Sequence, residues 1–333
     1  MKKSVVAYGE LLLRLTTPSI QRFEQSESFS IHFGGAEANV LASLSQWGMS
    51  TSFVSTLPNH SIGEAGLSQL KKFSIGTAHV KRTVGRQGLY FLEQGSIPRA
   101  AQVIYDRSNS AFVTDTDKRD WESILASSSW LHSSTITPVL TPHLAAELVE
   151  AFTIARRLGI GTSLDLNYRA QLCSRSYAQP ILKQLLPLVD VFIGMDTDME
   201  SLLGISYTGS PAAAPRYYLQ KIQETYGCKL TATTLRDSTN PPVLQWSAIA
   251  YDGSQFYASA PYTIEVIDRI GTGDAFTAGL LYAFLEKQPL QQALDFATAA
   301  GAWKHSIPGD FNNVSLQELS SLLQGDRGGA IRR

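Results

Sequence analysis

Short runs of β-forming residues alternate along this chain with longer segments whose apolar residues recur at helical spacing. "SVVAYGE", "STSFVST", "SSSWLHSS", "GIGTSLDLN", "LVDVFIGM" and "KLTATTL" read as strands. "AEANVLASLSQWG", "LAAELVEAFTIARRLG" and "APRYYLQKIQETYG" read as helices between them. Strands joined through helices form parallel pairs, and a parallel sheet buries both of its faces. The pattern predicts an α/β fold, a three-layer α/β/α sandwich around a mostly parallel central sheet. Ligands of such folds bind beyond the carboxyl ends of the strands.

Two stretches break the alternation. "LLLRLTTPSIQRFEQSESFSIHFGG" and "GRQGLYFLEQGSIPRAAQVIYDRSNSAF" carry strand-forming residues and turn signals without a helical pattern. Loops of that length without a function are uncommon. The expectation is therefore a small β-sheet lid over the strand-end site, built from segments of about 11–33 and 86–112. These are insertions in one domain spanning 1–325, followed by a frayed tail at 326–333. A sheet standing off the core leaves an apolar face and strand edges, so a homo-oligomer through the lid is also expected.

A net charge of −1 gives no electrostatic footprint for nucleic acid or an anionic membrane, and "KRTVGR" reads as a solvated turn. No apolar run reaches the roughly 18 residues of a spanning helix. The opening "MKKSVVAYGELLLRL" is interrupted by Glu10 and Arg14, so it reads as a buried strand rather than a signal peptide. Two distant cysteines, Cys173 and Cys228, suit a reducing, cytoplasmic setting. The six histidines form no HExxH pair that would suggest zinc.

The densest stretch is "VIDRIGTGDAFTAGLLYAF", residues 266–284. The first amides of a helix lack partners and carry partial positive charge. Glycines at 271 and 273 let that backbone approach an anion, such as a phosphoryl group gaining negative charge. Asp274 in the first turn can then accept the proton of an alcohol attacking that phosphorus. With an ordinary carboxylate pKa of about 3.9 it is already ionised at neutral pH. Taken alone, the string also reads as a tight turn with a first-turn acid.

The rest of the chain adds weight. "DRIGTGDAFTAGLL" resembles the C-terminal signature of the ribokinase-like (PfkB-type) carbohydrate kinases, and "FGGAEANVLASLSQWG" is similar to their N-terminal one. A dinucleotide fold lacks its GxGxxG after the first strand, and a P-loop lacks the Gly-Lys pair. Within that family "GELLLRLTTP", "RFEQSESFSIHFGGAEANV", "IYDRSNSAF" and "LDLNYRAQL" look most like 2-keto-3-deoxygluconate kinases.

The resemblance implies a ribokinase-like fold, ATP and Mg2+ as cofactors, and phosphorylation of a sugar acid at its primary hydroxyl. It implies catalysis by Asp274 with Gly271, Thr272 and Gly273. It places Gly34, Gly35 and Asn39 on the sugar hydroxyls, Tyr90 and Tyr105 over the sugar, and Asp310 in reach of it. Arg107 and Arg169 would bind the carboxylate, for which planar guanidinium forks are suited. Asn167, Thr234, Leu235 and Arg236 fall on the nucleotide side, with "TLRDS" where relatives have a Thr-x-Gly loop. "FIGMDTDMESLLG" departs from a family Asn-x-x-Glu segment that organises magnesium through water. Met195 takes the Asn position and Asp198 the Glu position, with Asp196 or Glu200 as substitutes. Kinases for fructose or ribose, and a sugar- or nucleotide-binding protein without phosphotransfer, are the alternatives.

Overall fold

The computed structural model describes residues 3–96, 98–237 and 243–325, the side chains of Asp196 and Thr197 excepted. The tail expected to fray, 326–333, lies outside the described residues. The strands are β1 (Ser4–Tyr8), β2 (Leu12–Thr16), β3 (Ser30–Gly34), β4 (Ser50–Pro58), β5 (Val80–Thr83), β6 (Leu89–Glu93) and β7 (Gln102–Asp106). They continue with β8 (Trp130–Ser134), β9 (Gly161–Asp165), β10 (Val191–Ile193), β11 (Leu230–Asp237), β12 (Val243–Tyr251), β13 (Phe256–Ala258) and β14 (Tyr262–Glu265).

The main sheet runs β13-β12-β11-β10-β9-β8-β1-β4-β5, with β14 also on β12. Pairing is parallel from β11 through to β5 and antiparallel among β11, β12, β13 and β14. All six strands expected from sequence lie in the parallel part. The antiparallel edge had not been expected, nor had β5, which runs into the supposed turn "KRTVGR".

Alternation along each central strand produces the three layers. Val5 and Ala7 of β1 join one apolar cluster, while Val6 and Tyr8 join the other. Likewise Val191 and Ile193 face one way and Phe192 the opposite way. The helices Ala36–Gln46, Thr272–Leu285 and Leu290–Lys304 cover the first face. Pro142–Arg157, Arg175–Leu185 and Ala214–Tyr226 cover the second. Their ends follow local chemistry. Thr141 Oγ1 accepts from the Leu144 amide with Pro142 in the first turn, and Gly227 closes Ala214–Tyr226 at φ 74°.

The two stretches without helical pattern pair with each other into a second, four-stranded sheet, β3-β2-β6-β7. Alternation gives it an inner row, His32, Arg14, Tyr90 and Tyr105, and an outer row, Ile31, Leu15, Phe91 and Ile104.

Candidate active site

A cavity of about 560 Å³ opens at the carboxyl ends of β1, β9, β10 and β11, beneath the inner row of the small sheet. Its floor includes Asp165 at the end of β9, Gly194 after β10 and Thr234 in β11. Its roof includes Leu12, Tyr90, Val103 and Tyr105.

The turn at 271–274 forms one wall. Gly271 stands at φ 78°, and a Cβ there would lie 2.2 Å from the backbone oxygen of Asp310, so position 271 demands glycine twice over. Gly273 is different: a Cβ added to it meets no protein atom within 4 Å and would stand in the cavity. Packing does not require that glycine, whereas a ligand against the backbone would. The Ala275 amide makes the first backbone bond of the helix, to Gly271 O at 2.9 Å. The amides of Thr272, Gly273 and Asp274 therefore precede the ladder and are left for an anion. Thr272 braces the turn, its Oγ1 donating to Arg269 O at 3.0 Å.

Asp274 is 8% exposed and accepts from Asn39 Nδ2 at 2.6 Å. Burial, and then the charge of Asp165, push its pKa up to about 7, despite the hydrogen bond from Asn39. An acid already fully ionised at neutral pH, as expected from the reference value, is not what this environment produces. Asp165 is itself raised to about 6 by burial, against the Asn167 amide (3.0 Å) and Thr277 Oγ1 (3.2 Å) that donate to it. Glu37, also lining the cavity, is raised by burial while Ser134 and Thr137 donate to its Oε1.

Gly34, Gly35, Tyr90, Tyr105, Arg107, Arg169 and Asp310 all line the same cavity as Asn39 and the 271–274 turn. The tyrosine rings lie 6.0 Å apart, and Tyr90 Oη donates to Asp310. Gly34 is packed tightly: a Cβ there would meet the Asp310 carboxylate at 2.0 Å. Arg107 is neutralised inside the protein, its Nε (2.9 Å) and an Nη (2.6 Å) donating to Glu10 Oε2, to whose other oxygen Ser110 donates. Arg169 is exposed and pairs with no carboxylate among the described residues.

On the opposite side Asn167, Thr234 and Arg236 line the cavity, and Leu235 does not. Adjacent residues of a strand point to opposite faces, so when Thr234 and Arg236 face the cavity, Leu235 turns into the apolar cluster behind β11. Arg236 lies over the Trp246 ring at 5.1 Å. Burial, then the charges of Arg269 and Arg169, lower its pKa.

Met195, at the start of the helix Asp196–Leu203, lines the cavity, and so does Asp198 one turn on. Glu200 is exposed and outside the lining, and the Asp196 side chain lies outside the described residues. Among the described residues no group of three or more His, Cys, Asp or Glu is arranged to hold a metal by itself.

The model of the pfkB family carbohydrate kinases matches residues 2–314. The chain belongs to the pfkB family. It is 39% identical to a 2-dehydro-3-deoxygluconokinase of Thermotoga maritima whose crystal structure superposes with a TM-score of 0.94 over 98% of this chain and 99% of that one. It is 29% identical over 335 residues, all of both chains, to a 2-dehydro-3-deoxygalactonokinase of Haloferax volcanii. A 2-dehydro-3-deoxygluconokinase of Bacillus subtilis is 24% identical over 98% of this chain and 97% of its own.

Sequence reasoning about this pfkB-family site missed several participants. Glu10, Glu37, Asp165 and Arg269 line the cavity. Asp165 had a visible signal, an acid at the carboxyl end of a strand. Arg269, within "DRIGTGD", stood beside residues already singled out. The bond between Arg14 and Asp268, beside the cavity, carried no local signal, because it spans 254 residues of chain.

Proposed function

We propose that this protein transfers the γ-phosphoryl group of ATP to the primary hydroxyl of 2-keto-3-deoxygluconate, giving 2-keto-3-deoxy-6-phosphogluconate. The observation that carries the reading is the pairing of Asp274 with the open amides of its own turn in one cavity. The sugar acid lies under the small sheet, its hydroxyls toward Gly34, Gly35 and Asn39, with Tyr90 and Tyr105 as a lid and Asp310 beside them. Arg169 supplies the guanidinium for its carboxylate. Arg107, held by Glu10, presents its remaining N–H donors. The nucleotide phosphates run toward Arg236 and Arg269, beside Asn167 and Thr234.

Asp274 in its ionised form takes the proton from the hydroxyl oxygen as that oxygen attacks the γ-phosphorus. The amides of Gly271 to Asp274 receive the charge on the phosphoryl oxygens, and their fixed orientation makes them effective where water is excluded. Magnesium in phosphoryl-transfer sites uses one or two carboxylates together with phosphates and waters. Asp198 fits that demand and the thioether of Met195 does not, so Asp198 would hold the ion through water, where it supplies charge neutralisation to the phosphates.

The name of the Haloferax relative favours one second reading, the galactonate counterpart of the same acid. ADP release measured over a panel of sugar acids, fructose and ribose, with Asp274→Asn as control, tests both. Turnover on neither keto-deoxy acid, or full turnover by the control, would sink the proposal.

The cytoplasm suits this activity and the two free cysteines, whose thiols are both raised by burial. Among the described residues no helix is long and apolar enough to cross a membrane. The outer row of the small sheet leaves Ile31 64% and Ile104 44% exposed, and Phe29 beside it 40%. A second copy of the chain covering that apolar face accounts for it.

A further inference from the structure

Beside the cavity lies a buried charged cluster, of which the proposed reaction uses only Asp310. Arg14, on the inner row of the small sheet, is 1% exposed and is not among the residues lining the cavity. Its Nε donates to Thr16 Oγ1 at 2.7 Å, one Nη to Asp268 Oδ2 at 2.8 Å and the other to Asp310 Oδ2 at 3.1 Å. Both carboxylates are buried, at 5% and 3% exposure. Burial opposes the charge on Arg14, but Asp310 and Asp268 outweigh it, so the guanidinium stays protonated. Lys304, fully buried, lies near the same acids, its pKa lowered by burial against the pull of Asp268 and Asp310, and donates to Ile307 O at 2.8 Å.

Each acid holds a part of the site. Asp268 accepts the Ile270 amide at 2.9 Å and the Gly309 amide at 3.0 Å, which fastens the turn before Gly271 to the loop at 309–310. Asp310 lines the cavity, accepts from Tyr90 Oη, and has its backbone oxygen against Gly271. One guanidinium therefore joins the small sheet to the amide turn and to the loop that meets the roof tyrosine.

We infer that Arg14 is a positioning residue for phosphoryl transfer, which sets the 271–274 turn against the small sheet through Asp268 and Asp310. The inference rests on the proposed kinase reaction and deepens it. Arg14 touches neither substrate; its effect falls on alignment in the transition state rather than on binding. A single ammonium keeps the charge but cannot reproduce a fork to three acceptors.

The test uses the full chain carrying Arg14→Lys or Arg14→Met, with kcat and both KM values measured beside thermal melting. Arg14→Met should lower kcat by about ten- to a hundredfold, the scale for misplacement of a catalytic group from a distance. Both KM values should stay within about twofold, and Arg14→Lys should recover part of kcat. Should neither variant fold, Thr16→Val removes only the hydroxyl that orients Nε, with a loss of about two- to fivefold expected in kcat alone. Folded variants with unchanged kcat, or with a raised sugar KM and unchanged kcat, overturn the inference. Asp274→Asn run alongside separates the two claims: if it is inactive while position 14 is silent, only the positioning role fails.

Discussion

Asn39 and Asp274, separated by 235 positions, meet at 2.6 Å, with the amide of one donating to the carboxylate of the other. The first turns of two helices are thereby joined at the proposed point of proton transfer. A donor to the ionised form favours it, so Asn39 works against the burial that pushes Asp274 up to about 7. Turnover should fall as pH drops through about 7, because the proton acceptor fills. Asn39→Ala should move that acidic limb upward by about one pH unit. A pH profile of kcat for the two proteins decides it, and a limb that stays in place removes Asn39 from this role.

The same buried charge acts on stability. The folded-state pKa of Asp274 lies above its unfolded value, so between about pH 4 and 7 the native state binds more protons. Stability from this group is full below the unfolded pKa and declines as pH rises through 7. Asp274→Asn keeps the shape and removes the charge. It should abolish turnover by about 10²- to 10⁴-fold while raising the melting temperature at pH 8 by roughly 2–4 °C. Melts at pH 4.5 should show no such gain; equal gains at both pH values would contradict the linkage.

The two arginines on the sugar side should separate under mutation. Arg169 is exposed and acts on Asp165 and Asp274 only through its charge, so Arg169→Ala should raise the sugar-acid KM about tenfold or more and leave melting nearly unchanged. Arg107→Ala strands Glu10 in a buried position and should cost about 3 kcal/mol in stability as well as activity. Denaturant titrations together with KM values distinguish the pair. Equal melting of both variants would show that the Glu10 contact contributes little.

How much could be read in advance depended on the distance over which each signal acts. Strand alternation and helical spacing are local, so the six central strands and the layers they imply were legible. The glycines and acid at 271–274 were legible for the same reason, being consecutive. The facing of Leu235 was not legible, because its surroundings read as a loop while β11 continues to Asp237, where neighbours face opposite ways. The partner of Arg107 was out of reach, since Glu10 arrives from 97 residues away. In sequence Arg14 stands as a charge interrupting an apolar run, and its two acids lie 254 and 296 positions on. Ion pairs of this kind are products of the fold rather than of any window of sequence.

Alternation on β11 also gives a test that needs no ligand geometry. Arg236→Ala should raise the KM for ATP several-fold with little change in melting, because the removed group is a guanidinium lining the nucleotide side of the cavity. Leu235→Ala should do the reverse, costing about 1–2 kcal/mol of packing and leaving the ATP KM within about twofold. If Leu235→Ala weakens ATP and Arg236→Ala does not, the facing of this strand toward the nucleotide is wrong.

The outer row of the small sheet yields the last prediction. Ile31 and Ile104 stand at its two edge strands, with Leu15 and Phe91 between them, and both isoleucines are largely open to solvent. An apolar row of this kind is a liability for a single copy and a seam for two. The wild-type chain should therefore scatter light as a dimer or a larger assembly. Ile31→Glu with Ile104→Glu places carboxylates in the seam, where burying them unpaired costs several kcal/mol. That double variant should run as a folded monomer with unchanged melting at low concentration. A wild-type chain that is monomeric at high concentration defeats the idea outright. An assembly that survives the double substitution moves the interface to another face.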